Sequence, residues 1–298
     1  AVGSAFREMG FAVDNCGHIS TPAVAAYALG RDMASIMVTG SHIPDDSNGI
    51  KFYMPWGEVL KPDEQAMSKN YTALKESIPA TIEIATLFTV DGAFLPGADT
   101  DLGAVNSRAE ELYCQRFTEF FGAGSLAGMR ILFYQHSSVS RDILPGILQA
   151  LGADVINLGW SDSFVPVDTE AVAEPERLTA WVHEYQANAL ISTDGDGDRP
   201  LVVDEKGDVV RGDIIGILTA LFLKAEAVCT PVSCNTAVEK SKYFTHIART
   251  KIGSPYVIAA MNDAAKAGYK SVVGYEANGG FLTGSDFSAV TGQATLPA

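Results

Sequence analysis

The sequence predicts an α/β protein made of three consecutive α/β domains with mixed, mostly parallel sheets. Three observations carry that expectation. From Met129 onward, apolar strand-like runs alternate with amphipathic helical runs. Loops rich in Gly and Asp follow several of the strand-like runs, where open α/β sheets gather their ligands. The 298 residues, 47 % of them apolar, are too many for one ordinary core and suggest about two or three domains.

In order along the chain, AVGSAFREMGF spaces Phe6 and Met9 as a helix and stops at Gly10, and FAVDNCG then reads as a strand. Thr21-Pro22 opens a short helix, AVAAYALG, and ASIMVTG reads as a buried strand ending at Gly40, a β-α-β rhythm. The loop SHIPDDSNG leads into IKFYMPWG, and Lys61 to Glu76 is polar and helix-forming. Residues 77 to 127 are poorly periodic until the amphipathic NSRAEELYCQRFTEFF, and a domain boundary is expected near Gly122 to Gly128. Then MRILFYQHSS, ADVINLG and ANALIST read as strands, with RDILPGILQALG and EPERLTAWVHEYQ as the helices between them. PLVVDEKGDVV reads as a hairpin about Lys206-Gly207, and GDIIGILTALFL as a helix. From near Ala227 the strand, helix, strand, helix, strand order repeats, as an internally duplicated layer would. The expected domains are therefore 1–125, 126–226 and 227–298.

A formal net charge of −15 argues against nucleic acid or an anionic membrane as a partner, so an anionic substrate must be held by local basic residues. Cys16, Cys114, Cys229 and Cys234 form no C-x-x-C pair and no zinc spacing, which points to reduced thiols in a cytoplasmic protein. The apolar run Ile214 to Leu223 is about half of what spans a bilayer, and no secretory signal opens the sequence.

The chemically richest stretch is Ile191 to Pro200, ISTDGDGDRP. Asp194, Asp196 and Asp198, separated by glycines, place three carboxylates on one tight loop, where like charges raise one another's pKa unless a cation neutralises them. An oxygen-only ligand set favours a hard cation, Mg²⁺ or Ca²⁺. An EF-hand loop would need glycine where Arg199 stands, and helices where the flanks read as strands. A plain Asp-Gly turn explains one Asp-Gly but not two in succession with a third Asp and an Arg. Thr39 to Tyr53, TGSHIPDDSNGIKFY, carries Ser41 and Lys51, and alone it reads as a serine turn. Gly274 to Gly280, GYEANGG, sets an acid and an amide on a glycine-rich loop of the kind that holds sugar hydroxyls, as many ordinary turns also do.

Taken together, these stretches resemble the α-D-phosphohexomutase family, the phosphomannomutases and phosphoglucomutases. That family carries a T-A-S-H-N-P serine loop followed by N-G-x-K, a D-G-D-x-D-R metal loop and a G-E-x-S-G-type sugar loop. The resemblance implies a phosphoserine at Ser41 and Mg²⁺ held by that phosphate with Asp194, Asp196 and Asp198. It implies Arg199 steadying the phosphoryl group and Lys51 as general acid or base. Lys251, Glu276, Asn278 and His42 would contact the sugar phosphate. The implied partners are a hexose phosphate and a hexose 1,6-bisphosphate. The implied activity is that of a phosphomannomutase, with phosphoglucomutase and acetylglucosamine-phosphate mutase as alternatives. More remote readings are a metal-dependent sugar-phosphate phosphatase and a non-catalytic sugar-phosphate-binding module.

The sequence departs from the pattern at Gly40 for alanine, Ile43 for asparagine, Asn278 for serine and Gly280 for histidine. The family's opening glycine-rich segment with an arginine and its fourth domain, with an R-x-S-G-T-type phosphate loop, have no counterpart among these residues. The first domain is thus expected to be incomplete and the fourth absent. Without the remote phosphate grip of that domain, turnover by these residues alone is expected to be slower by at least roughly a hundredfold.

Overall fold

The computed structural model describes residues 2–41, 43, 47–77, 89, 94–97, 102–285 and 287. The chain divides into two compact units, Ala1–Gly17 with Leu60–Arg108 and His18–Val59 with Ala109–Ala298. In chain order, α1 (Val2–Glu8) and α2 (Thr21–Leu29) precede the strands β1 (Ser35–Thr39), β2 (Gly49–Met54) and β3 (Gly57–Glu58). The helices α3 (Lys61–Ser77) and α4 (Arg108–Phe121) follow.

The first unit holds α1 and α3. Arg7 Nη2 donates to the Leu102 carbonyl at 2.6 Å, and the Asn106 amide donates to both oxygens of Asp14 at 3.0 and 2.9 Å. The α3 helix carries Asp63 and Glu64 in its first turn and Lys75 in its last, in favourable alignment with the helix dipole. The stretch FAVDNCG, expected as a strand, is not one: Asn15 Oδ1 accepts the Gly17 N–H at 3.0 Å, a side-chain turn that competes with extended pairing. The expected β-α-β start therefore reduces to α2 and β1.

In the second unit, β1, β2 and β3 form an antiparallel sheet in which Met37 faces Lys51 and Tyr53 faces Glu58. The β1 strand is one-sided and not buried: Val38 and its partner Ile50 are 50 % and 47 % exposed. On the other face Lys51, Tyr53 and Glu58 stand in one row, since residues two apart on a strand share a face.

The next sheet is built from β4 (Arg130–His136), β5 (Asp154–Trp160), β6 (Ala189–Thr193), β7 (Pro200–Val203) and β8 (Val209–Val210), in the order β5-β4-β6-β7-β8. Its pairing is parallel from β5 through β6 and antiparallel from β7 outward. The helices α5 (Ile143–Ala150) and α6 (Pro175–Tyr185) make its crossovers, and Leu132, Leu178, Val182, Leu190, Leu201 and Val203 fill its core. After α7 (Gly212–Phe222), the last sheet takes β9 (Ala227–Pro231), β10 (His246–Thr250), β11 (Val272–Tyr275) and β12 (Phe281–Thr283), in the order β10-β9-β11-β12. Its helices are α8 (Ala237–Ser241) and α9 (Ser254–Lys266). Val228, Val238, Val273 and Tyr275 pack with α7 on one side, while Val257, Met261 and Val272 pack around α9. Both sheets are mixed, parallel from one edge and antiparallel toward the other.

Candidate active site

The turn between β6 and β7 starts from a strand end held by buried polar bonds. Ser192 Oγ donates to the Tyr134 carbonyl at 2.6 Å, and His136 Nε2 donates to the Thr193 carbonyl at 2.8 Å. Burial holds the His136 ring below its ordinary pKa, with the Thr193 bond opposing, so the ring is neutral. The turn backbone is then fixed from outside: Val139 N–H reaches the Gly195 carbonyl at 3.0 Å and Thr21 N–H the Asp196 carbonyl at 2.8 Å. A Cβ at Gly195 would lie 2.5 Å from the Ser41 carbonyl oxygen, so only glycine lets the two loops meet.

On this turn Asp194, Asp196 and Asp198 bring one oxygen each to within 4.8 Å of one another. Asp194 and Asp196 are buried. Ser41 Oγ donates to Asp194 Oδ2 at 2.5 Å, and Lys51 Nζ reaches both Asp196 Oδ2 and Asp198 Oδ2 at 2.6 Å. Arg199 Nε stands 3.9 Å from Asp194 Oδ2 and from Asp198 Oδ1. Ser41 itself has a left-handed backbone, φ +49°, a conformation costing a non-glycine residue roughly 1–2 kcal/mol and met most often at functional loops. Its N–H donates to Thr39 Oγ1 at 2.8 Å, which helps hold that shape.

The donor set fits a hard divalent cation. Only oxygens converge, and Asp196 Oδ1 and Asp198 Oδ1 are buried with no hydrogen-bond donor among the described residues. Burial, then the charges of Asp198 and Asp196, push Asp194 up to about 7. Burial alone would raise Asp196 too, but Lys51 and Thr21 outweigh it and hold that carboxyl low. Lys51 is likewise raised, since Asp198 and Asp196 overcome its own burial.

These shifts set a stability test. Asp194 titrates near 3.8 when free and at about 7 here, so its favourable contribution is complete below 3.8 and is lost as pH rises through about 7. Asp196 works in the opposite sense, below its ordinary 3.8 and outside that window. A cation that binds the ionised cluster recovers the loss. Thermal melting with and without 5–10 mM Mg²⁺, roughly, is therefore expected to show stabilisation of several degrees at pH 8 and much less at pH 5. Equal shifts at both pH values would contradict it.

The loop after β11 carries Glu276 and Asn278. Gly253 N–H donates to Glu276 Oε1 at 3.2 Å, Gly280 N–H to Asn278 Oδ1 at 2.9 Å, and Thr169 Oγ1 to the Asn278 carbonyl at 2.7 Å. Burial raises the Glu276 pKa, with Gly253 N–H and the Arg199 charge opposing. Lys251 is exposed at the end of β10, its Nζ 5.6 Å from the centre of the Tyr256 ring and not on the carboxylate cluster. His42 lies outside the described residues. Three residues to which the sequence reading gave no role in the site line the same region. Thr21 Oγ1 donates to Asp196 Oδ2 at 2.6 Å. Glu58 accepts from Ser254 Oγ at 2.7 Å, and Tyr53 stands opposite Glu58 on the Lys51 face.

The loop of Glu276 rests on bare backbone. A Cβ at Gly212 would lie 2.3 Å from Gly279 N and 2.5 Å from the Ala277 carbonyl, and one at Gly279 would lie 3.0 Å from Pro200. Gly212→Ala is expected to cost about 1–3 kcal/mol by urea denaturation through overpacking. Mg²⁺ affinity should be unchanged, because the carboxylate turn is not displaced; a cost below roughly 0.5 kcal/mol would refute the tight contact.

Three domain models of one family match successive stretches of the chain. These are phosphoglucomutase/phosphomannomutase alpha/beta/alpha domain I over residues 1–77, domain II over 111–207 and domain III over 211–298. The chain belongs to the phosphoglucomutase/phosphomannomutase family. Among relatives of this family member, a phosphomannomutase of Sinorhizobium fredii is 43% identical over 297 residues, covering 99% of this chain and 59% of the relative. A phosphomannomutase of Salmonella muenchen is 44% identical over 288 residues, covering 96% and 56%. A phosphoglucosamine mutase of Maricaulis maris is 32% identical, covering 88% and 58%. The chain thus spans somewhat more than half the length of the curated relatives it matches. Among solved structures, a phosphoglucomutase/phosphomannomutase family protein from Burkholderia thailandensis superposes with TM-score 0.68 at 18% identity, covering 95% of this chain and 60% of that one. Parafusin, a phosphoglucomutase from Paramecium, superposes in its open form with TM-score 0.61 at 17% identity, covering 92% and 54%. These two show the shared phosphoglucomutase/phosphomannomutase fold.

Proposed function

We propose that this chain carries the phosphoryl-transfer site of a cytoplasmic phosphohexomutase. It would interconvert hexose 1-phosphate and hexose 6-phosphate through a phosphoserine at Ser41, with domains at 1–125, 126–226 and 227–298. The observation that carries the reading is Ser41 Oγ at 2.5 Å from Asp194, inside a three-carboxylate cluster that Lys51 also enters. Mannose phosphates are the proposed substrates, supported by 43% and 44% identity to two phosphomannomutases against 29% to 32% for the phosphoglucosamine mutases. Among the described residues no helix is long and apolar enough to cross a membrane.

Mg²⁺ is the proposed cation, held by Asp194, Asp196 and Asp198, and when bound it supplies charge neutralisation to the phosphoryl oxygens. The residues do the rest. Phosphoryl transfer passes through a loose transition state, so catalysis is mainly positioning and electrostatics. In the forward half the bond from phosphorus to Ser41 Oγ breaks and one to a hexose hydroxyl forms. Ser41 Oγ leaves as an alkoxide and needs a proton while the hexose hydroxyl sheds one; Lys51, held charged by its carboxylates, gives its proton to Oγ and takes up the hydroxyl's in return. In the return half the other phosphate of the hexose 1,6-bisphosphate moves to Ser41, with the proton flow reversed. Arg199 offers a fixed positive charge beside Asp194 and Asp198, while Glu276, Asn278, Lys251 and His42 are the proposed contacts to the sugar phosphate.

A turnover assay of mannose 1-phosphate and glucose 1-phosphate, with Mg²⁺ and a trace of bisphosphate, tests the reading on the gene product that contains this chain. Conversion of both to the 6-phosphates, mannose faster, is expected. Release of inorganic phosphate in place of isomerisation would make it a phosphatase.

A further inference from the structure

We propose that Thr21 is a positioning residue for the metal turn: its hydroxyl fixes which oxygen of Asp196 is presented to the cation. The inference rests on the metal reading above and adds a residue to it. Thr21 opens α2, which runs from Thr21 to Leu29, and lies 175 residues before Asp196. Both of its donors go to that one residue, Oγ1 to Asp196 Oδ2 at 2.6 Å and N–H to the Asp196 carbonyl at 2.8 Å. Thr21 is 2 % exposed and Asp196 1 %, so water does not compete for either bond.

The terminal torsion of an aspartate is soft and roughly two-fold, so an unrestrained carboxylate can present either oxygen. Here the two oxygens are unequal. Oδ2 receives Thr21 Oγ1 and Lys51 Nζ, whereas Oδ1 is buried and receives no donor among the described residues. A short O–H···O⁻ bond is among the stronger hydrogen bonds, and a hydroxyl inside the α2 backbone start is less mobile than an ammonium on a four-carbon stem. Thr21 therefore holds Oδ2 in place whatever Lys51 does during a cycle. Oδ1, buried and without a donor among the described residues, is thereby left available to a ligand, as the outer partners of metal-binding side chains commonly arrange.

Isothermal titration of Mg²⁺ into the 298-residue chain, without substrate, tests this alongside the variants Thr21→Val and Thr21→Ser. Thr21→Val keeps the shape and removes the hydroxyl, and it should weaken Mg²⁺ about tenfold. Thr21→Ser restores the hydroxyl and should stay within about threefold of the parent. A role confined to folding would lower the melting temperature of Thr21→Val while its folded form bound Mg²⁺ like the parent, and that result overturns the proposal. Should Thr21→Val not fold, Thr21→Ser decides: affinity near the parent supports the proposal, and a loss beyond about tenfold overturns it. A parent that takes up no Mg²⁺ at all overturns the metal reading itself, which separates the two failures.

Discussion

Asp196→Asn is expected to weaken Mg²⁺ binding by at least about a hundredfold and to abolish phosphoryl transfer while the chain stays folded. Outer partners of metal ligands already cost about 10- to 100-fold when removed, and Asp196 is itself one of the three converging carboxylates. Asparagine keeps the size of the side chain, and Lys51 retains its bond to Asp198 at 2.6 Å. Removing one negative charge from the cluster also relieves Asp194, whose raised pKa comes from burial and then from Asp198 and Asp196. Folded-state repulsion falls as the lost ion pair costs, so melting without cation should change little. Calorimetric titration and turnover at limiting Mg²⁺ are the measurements. Unchanged activity under those conditions would remove Asp196 from the ligand set.

That turn was the most legible part of the site, because Asp194, Asp196, Asp198 and Arg199 are neighbours in sequence and their convergence needs only a bend. Ser41 and Lys51 were legible only through the pattern they share with a family. Alone, the serine reads as a turn, and only the bond to Asp194, 153 residues away, distinguishes it. Thr21 carried no signal beyond a helix start, since its partner lies 175 residues on. Glu58 sits on a two-residue strand, shorter than any periodicity can reveal, and is held by Ser254 from the far end of the chain. The regular alternation after Met129 was readable because the central strands β4, β6, β9 and β11 are buried and each has a helix beside it in sequence. FAVDNCG shows the limit: it opens on an apolar run, but a local Asn15 turn wins where no partner strand is in register.

Ser41→Ala is the second change with a large expected effect. If Ser41 is the phosphate carrier, the variant loses about 80 Da of covalent mass from the phosphorylated fraction and its mutase activity falls by at least about a thousandfold. Alanine has the same Cβ, so the left-handed backbone at φ +49° is no more strained than before. The Ser41 hydroxyl bond also draws the Asp194 pKa down against the larger effect of burial, so its loss leaves that carboxyl still harder to ionise. Intact-mass measurement after incubation with a hexose 1,6-bisphosphate reads the first effect directly. Phosphate retained on the variant would place the carrier at another residue.

Under the proposed sugar contacts, the close approach of Gly212 to Gly279, and of Gly279 to Pro200, restricts how hexose preference can evolve. The loop of Glu276 lies, at Gly279, against the ring and carbonyl of Pro200, the residue that directly follows Arg199 of the metal turn, so a side chain at Gly279 has no room. With Glu276 and Asn278 in the proposed role, a descendant of this protein that comes to prefer another hexose would exchange the groups at those two positions, since moving the loop that bears them would prise it from the carboxylate turn. On that proposal selectivity can drift by substitution, while the seating of the two loops on one another stays anchored to glycine.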